Sequence, residues 1–193
     1  MSPVTVSPVA SVCVYCASSR QAPQRWVDLA AEVGTELARR GHSLVSGGGN
    51  VSAMGAVARA ARAGGAHTLG VIPEGLIALE VADTDADELL VVPDMRVRKQ
   101  RMDDASDAFL ALPGGIGTLE ELLEVWTSRS LGMHAKPVVV LDPDGLYAPL
   151  REQVRVMAGH GLVREEALAV LRWTTTVTDA LDVIEAGLGL GGR

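Results

Sequence analysis

Glu120 and Glu121, with Glu124 one turn further on, follow a glycine-rich turn in Leu112-Pro113-Gly114-Gly115-Ile116-Gly117-Thr118-Leu119-Glu120-Glu121. Carboxylates serve acid–base or charge-stabilising chemistry. Gly114, Gly115 and Gly117 let the backbone take positive φ and come close to a ligand. The apolar run Ala108 to Leu112 before the turn reads as a buried strand. Leu119, Leu122, Leu123 and Trp126 after it recur at helical spacing. The turn therefore opens a helix, whose first amides lack partners and carry the positive end of the macrodipole. An anion, a phosphate above all, would be captured there beside acid residues.

A second charged set lies in Met95-Arg96-Val97-Arg98-Lys99-Gln100-Arg101-Met102. On a helix, Met95, Arg98, Lys99 and Met102 form one stripe, which the two methionines mark as inward-facing. Arg98 and Lys99 then lie where a charge needs a partner. One reading is that Arg98 snorkels, or pairs with Asp107 or a nearby glutamate. The other is a guanidinium held against a carboxylate and a phosphate-bearing substrate, which its planar fork suits. Glu120, Glu121 and Glu124 also divide two ways. Acids near a helix start complement the dipole, but three in two turns repel unless a cation such as Arg98 compensates.

The elements that must position these residues alternate. Strands are expected over Ser11–Cys16, Ser43–Ser46, His67–Ile72, Leu89–Val92, Ala108–Leu112, Pro137–Leu141 and Leu171–Thr176. Helices are expected over Gln24–Arg40, Val51–Ala63, Met95–Ala105, after Gly117, and over Tyr147–His160 and Thr178–Ala186, with a helical turn near Arg164–Val170. Glu74 to Asp87 reads as acidic loop with some helix. Such alternation implies right-handed βαβ units. The expected fold is a single α/β domain over 11–187, a Rossmann-like parallel sheet flanked by helices on both faces. A disordered N-terminal tail (1–10) and a flexible C-terminal tail (188–193) are expected to flank it. Ligands of such sheets bind beyond the strand C-termini, near a topological switch point. Ala17–Arg20, Gly47–Asn50 and Pro113–Thr118 all fall at such ends.

Composition narrows the function. A net charge of −7 argues against bulk nucleic-acid binding. No apolar run approaches a membrane span, and Met1–Ala10 lacks the pattern of a signal peptide. A cytoplasmic protein that binds neither nucleic acid nor membrane is expected. Cys13 and Cys16 point to opposite faces of a strand and read as buried, reduced thiols. His42, His67, His134 and His160 have no ligand spacing, so no metal site is expected. Gly47-Gly48-Gly49-Asn50 is not a dinucleotide fingerprint, and no phosphate loop of the nucleoside-triphosphatase type is present.

Pro113-Gly114-Gly115-x-Gly117-Thr118-x-x-Glu121 resembles the signature P-G-G-x-G-T-x-x-E of the Lonely Guy (LOG) family. These cytokinin riboside 5′-monophosphate phosphoribohydrolases are often mislabelled lysine decarboxylases. The resemblance runs from about Val12 to Val163. It includes Ser18-Ser19, the G-G-G-x-V-x-x-M-G pattern (Gly47 to Gly55), Gly70 to Pro73, Met95 to Met102, and Leu131 to Pro137. The sequence departs from the family pattern at Ala17 and Arg20, where glycines are common. It also departs at Ser52, which replaces a frequent glycine, and at Glu74, where plant members carry lysine.

The resemblance implies cleavage of the bond between an N6-substituted adenine, or adenine itself, and ribose 5′-monophosphate. It implies Arg98 and Glu121 as the catalytic pair. Its substrate-binding set is Ser18, Gly48, Glu80, Lys99, Gly114, Gly115, Ile116, Gly117, Thr118, Leu119 and Glu120. The phosphate would be held by Gly114, Gly115, Gly117 and Thr118. It also implies a homodimer, no cofactor and no metal. A non-catalytic nucleotide or molybdenum-cofactor binding protein of the same fold is the alternative.

Overall fold

Short apolar runs, four to six residues long, cannot bury themselves as helices and pair instead as strands. A computed structural model describes residues 9–77 and 81–190. In chain order the elements are β1 (Ser11–Tyr15), α1 (Gln24–Arg39), β2 (Ser43–Ser46), α2 (Ser52–Ala63) and β3 (Thr68–Pro73). A 3₁₀ turn (Glu74–Leu76), β4 (Glu88–Val92), α3 (Met95–Asp104), β5 (Ala108–Ala111) and α4 (Ile116–Ser130) follow. The chain continues through β6 (Val138–Leu141), α5 (Ala148–Gly159), α6 (Glu165–Ala169), β7 (Leu171–Thr174) and α7 (Val177–Gly187).

The seven strands make one parallel sheet in the order β4-β3-β2-β1-β5-β6-β7. The chain winds outward from β1 in one direction, then crosses to β5 and winds the other way. The switch point between β1 and β5 leaves a crevice beyond their C-terminal ends. Residues alternate across the sheet. Val12, Val14 and Cys16 pack into a core with α1, α2 and α7. Cys13 and Tyr15 face the opposite core, with Met102 of α3, Leu122 and Trp126 of α4, and Val154 of α5. The expected α/β/α layering is therefore present. Cys13 and Cys16 are both buried, form no disulfide, and lie on opposite faces.

The acidic stretch after β3 is organised by distant contacts. Beyond its 3₁₀ turn, Asn50 N–H donates to Val81 O (2.8 Å), and Asp83 N–H donates to Gly48 O (2.8 Å). Arg62 clamps Asp83 through two hydrogen bonds, 2.7 and 3.0 Å. This segment thus lies against the triple-glycine turn. At the chain ends, residues 1–8 and 191–193 of the two expected tails lie outside the described residues. Val9 N–H donates to Gly41 O (2.9 Å), and Leu190 N–H donates to Glu185 O (2.8 Å).

An ionic seam joins α1 to α7. Arg40 reaches Glu36 at 2.8 Å, Asp182 at 2.6 Å and Glu185 at 3.1 Å. Hydrogen bonds from Arg39, helped by Arg40, bring the Glu36 carboxyl from its ordinary 4.5 down to about 2. Asp87 is also lowered. Burial alone would raise it, but the Thr68 N–H and hydroxyl outweigh burial. Both groups bind protons less readily folded than unfolded. Their stabilisation is present above the unfolded values and is lost as pH falls through the folded ones. Thermal melts should therefore drop as pH is taken from about 5 toward about 3, with Glu36→Gln flattening part of that slope. A slope unchanged by Glu36→Gln would remove the Glu36 pairing from the account.

Candidate active site

The crevice at the switch point is floored by the loops after β1, β2 and β5. Gly115 is the N-cap of α4 in extended backbone, and among the described residues no side chain caps this helix. The first intrahelical bond runs from Leu119 N–H to Gly115 O, 3.0 Å. Helix geometry gives the amides of Ile116, Gly117 and Thr118 no carbonyl one turn back. They stand at the positive end of a 15-residue helix, an arrangement that suits an anion. Gly114 lies directly beneath Thr118: a Cβ there would sit 2.1 Å from Thr118 Oγ1. Thr118 is buried, whereas Ile116 is 87% exposed at the rim.

A cavity of about 260 Å³ opens at this helix end. Its wall includes Ser18 and Ser19, Met54 of α2, Met95 and Arg98 of α3, Gly115 to Thr118, and Glu121. Glu121 stands one turn into α4, so its carboxylate meets the same space as the loop amides. It also lines a second hollow of about 390 Å³, shared with Tyr15, Arg96, Lys99 and Glu124. Glu121 is the partition between the two.

Arg98 is held from several sides. Asp94 caps α3 by accepting from the amides of Arg96 (2.8 Å) and Val97 (2.9 Å), which sets the helix start. Arg98 Nε donates to Val71 O at 3.2 Å, and Nη2 donates to Gly47 O at 3.3 Å. Nη1 faces Glu121 Oε1 at 3.6 Å. Only 4% of Arg98 and 8% of Glu121 is exposed, so their attraction is weakly screened. Two backbone carbonyls aim the guanidinium, and its remaining edge meets the carboxylate. Asp107, the other candidate partner, instead accepts from Ser11 N–H at 2.8 Å.

Two neighbouring groups add no charge of their own. Burial pushes the Cys13 thiol up to about 12, with the Glu121 charge adding to it. Burial likewise holds the Tyr15 phenol well above its usual value, reinforced by Cys13 and Glu121. Both stay neutral at physiological pH. Lys99 Nζ bridges Glu120 and Glu124. Burial would lower its pKa, but hydrogen bonds to those two acids raise it instead. The expected repulsion among three glutamates is thus divided: Lys99 serves Glu120 and Glu124, and Arg98 serves Glu121.

The structure brings Ser18, Arg98, Gly115, Ile116, Gly117, Thr118 and Glu121 to one cavity. Lys99 lines the adjoining hollow, with Glu120 paired to it. Gly48, at φ 76°, lies beneath, against Val71 and Ile72. Leu119 packs toward the core under α4. Glu80 lies outside the described residues. The methionine stripe is only half inward. Met102 is buried, but Met95 is 40% exposed, at the cavity mouth. Sequence reasoning did not single out Met54 as a wall residue or Val71 as a carbonyl donated to by Arg98. A buried α2 methionine reads as core, and a backbone carbonyl has no side-chain signature.

A family model described as "Possible lysine decarboxylase" matches residues 54–184. A cytokinin riboside 5′-monophosphate phosphoribohydrolase of Mycobacterium marinum is 50% identical over 177 residues, covering 92% of this chain and 94% of that protein. One of the same name from Mycobacterium tuberculosis is 52% identical over 171 residues, covering 89% and 91% respectively. The chain belongs to the LOG family. Among solved structures, the molybdenum-cofactor carrier protein of Chlamydomonas reinhardtii superposes with a TM-score of 0.69. It is 20% identical, with 95% of this chain and 99% of that one covered. At that identity the likeness is one of fold, a Rossmann-like sheet shared within a wider group.

One departure from the LOG pattern has a physical cost. Ser52, where family members frequently carry glycine, sits at φ 53° as the first residue of α2. Among the described residues its solvent-shielded hydroxyl has no hydrogen-bond partner. Left-handed backbone costs a side-chain-bearing residue roughly 1–2 kcal/mol. Ser52→Gly should therefore raise the melting temperature by about 2–4 °C, with turnover retained. A lower melting temperature in that variant would show that the serine is there for a bond of its own.

Proposed function

We propose that this LOG-family enzyme hydrolyses the N-glycosidic bond of cytokinin riboside 5′-monophosphates, and of AMP, to free base and ribose 5-phosphate. One observation carries the reading. The open amides at the α4 N-terminus and the Glu121 carboxylate, held by Arg98, share a single cavity. The amides grip the 5′-phosphate and so position the sugar, drawing binding energy from a group remote from the scissile bond. As the C1′–N9 bond breaks, its electron pair leaves with the base and positive charge builds on the ribose. A carboxylate near C1′ stabilises that charge and orients the attacking water, as glycosidase carboxylates do. Water's oxygen bonds to C1′; one of its protons stays on the new C1′ hydroxyl and the other ends on the departing base, so the products are ribose 5-phosphate and neutral base. Arg98, fixed by the carbonyls of Val71 and Gly47, keeps Glu121 ionised and aimed.

The 260 Å³ cavity is near the lower end of small-molecule sites, about 300 Å³. It suits a sugar phosphate, with the base extending beyond it. We also infer a homodimer acting in the cytoplasm, by family likeness. Leu131 (63% exposed) and Met133 (75%) past the end of α4 support such a contact, and light scattering would read the assembly. The test of function is chromatography of isopentenyladenosine 5′-monophosphate, zeatin riboside 5′-monophosphate and AMP after incubation with the protein. Free base and ribose 5-phosphate are expected, and recovery of intact nucleotides throughout would overturn the reading.

A further inference from the structure

We infer that Tyr147, which lies outside the cavity, is a positioning residue for the anion-binding loop: its hydroxyl pins the backbone on both sides of Pro113, so that the α4 amides face the 5′-phosphate. This rests on the reading of the site given above. The Tyr147 hydroxyl donates to Leu112 O at 2.9 Å and accepts from Gly114 N–H at 2.9 Å. Tyr147 is only 4% exposed. Proline has no N–H, and the chain here has left β5 without yet entering α4. The flanking carbonyl and amide therefore have neither a sheet ladder nor a helix to join. A hydroxyl, one donor with acceptor lone pairs, serves both at once.

The tyrosine is itself held in place. The Asp142 carboxylate at the end of β6 accepts from the amides of Leu146 (2.8 Å) and Tyr147 (2.9 Å). Asp142 N–H donates to Thr174 O of β7 at 2.9 Å. A chain of bonds thus runs from the sheet edge through Asp142 and Tyr147 to the loop. Burial pushes the Tyr147 phenol up to about 12, so it remains a donor at any working pH. The Gly114 amide is also spent on Tyr147. The phosphate grip then falls to amides from Gly115 onward, and Gly114 serves by leaving room for Thr118.

The test is Tyr147→Phe, which keeps the ring and removes the bridge. Inorganic phosphate would be titrated against the amide resonances of Gly115, Ile116 and Gly117. KM and kcat for isopentenyladenosine 5′-monophosphate, and a melting curve, would be measured alongside. Leaving two buried groups unpaired should weaken phosphate binding and raise KM roughly tenfold, with a smaller change in kcat. If that variant fails to fold, Asp142→Asn, which loosens the seat and keeps the hydroxyl, should shift both quantities the same way by less. A lowered melting temperature with unaltered phosphate affinity and KM would mean a purely structural tyrosine and overturn the inference. Phosphate binding without turnover in the unmodified protein would sink the hydrolase reading alone. In that case the change in phosphate affinity still decides for or against Tyr147.

Discussion

Glu121→Gln should lose turnover by about a thousandfold while the protein stays folded and still binds phosphate. Glutamine matches the size of glutamate, and its oxygen can still face Arg98 Nη1, 3.6 Å away in the parent. The substitution therefore removes the charge and little else. That charge is the quantity the mechanism depends on, because a neutral amide stabilises an oxocarbenium-like ribose far less than a carboxylate does. The proposed phosphate grip lies one turn earlier, on the α4 amides, so affinity for ribose 5-phosphate should change only slightly. Arg98→Ala separates the roles differently. It leaves Glu121, 8% exposed, without its cation, which for a buried pair costs about 3–5 kcal/mol. It should lower both turnover and the melting temperature. Near-normal turnover in Glu121→Gln would remove the carboxylate from the chemistry, whatever the fate of Arg98→Ala.

How far the sequence foretold this site depends on the range of each interaction. The α4 loop was legible because everything it needs is local: a strand end, glycines, then helical periodicity. Glu121 and Arg98 were legible as charges in structured segments that required partners. That they find each other, and not Asp107, was left open, because α3 and α4 are brought together only through β5 and the sheet. The stretch after β3 was opaque for the same reason. Val81 and Asp83 are ordered by Asn50, Gly48 and Arg62, and no periodicity records such contacts. Tyr147 was read as the start of a helix, since nothing nearby shows that its hydroxyl reaches a loop 33 residues away. Lys99 was placed beside the substrate by family likeness. In the structure it is bound between Glu120 and Glu124, where it ties α3 to α4.

Gly47→Ala should abolish most activity, by about a hundredfold in kcat, with a smaller loss of stability than Arg98→Ala. As sequence, Gly47 opened a glycine-rich turn at a strand C-terminus, one of three segments expected near a ligand, with no task of its own. The structure gives it a steric task. A Cβ built there would lie 1.8 Å from Arg98 Nη2 and 2.9 Å from Cζ. Gly48 holds the left-handed conformation of that turn, at φ 76°, and Gly47 is not among the positive-φ residues. Alanine thus fits the backbone at 47, and the conflict falls on the far end of the arginine. That end can move, so the protein folds and the guanidinium is displaced. In moving it gives up the 3.3 Å bond to Gly47 O and its approach to Glu121. The carboxylate stays but loses its aim. Two measurements separate this from general damage. Phosphate affinity at the α4 amides should be unchanged. The double variant Gly47→Ala/Arg98→Ala should also be little worse in turnover than Arg98→Ala, since both act through one side chain. Additive losses would mean that Gly47 contributes on its own account, by contact with substrate rather than by making room for the arginine.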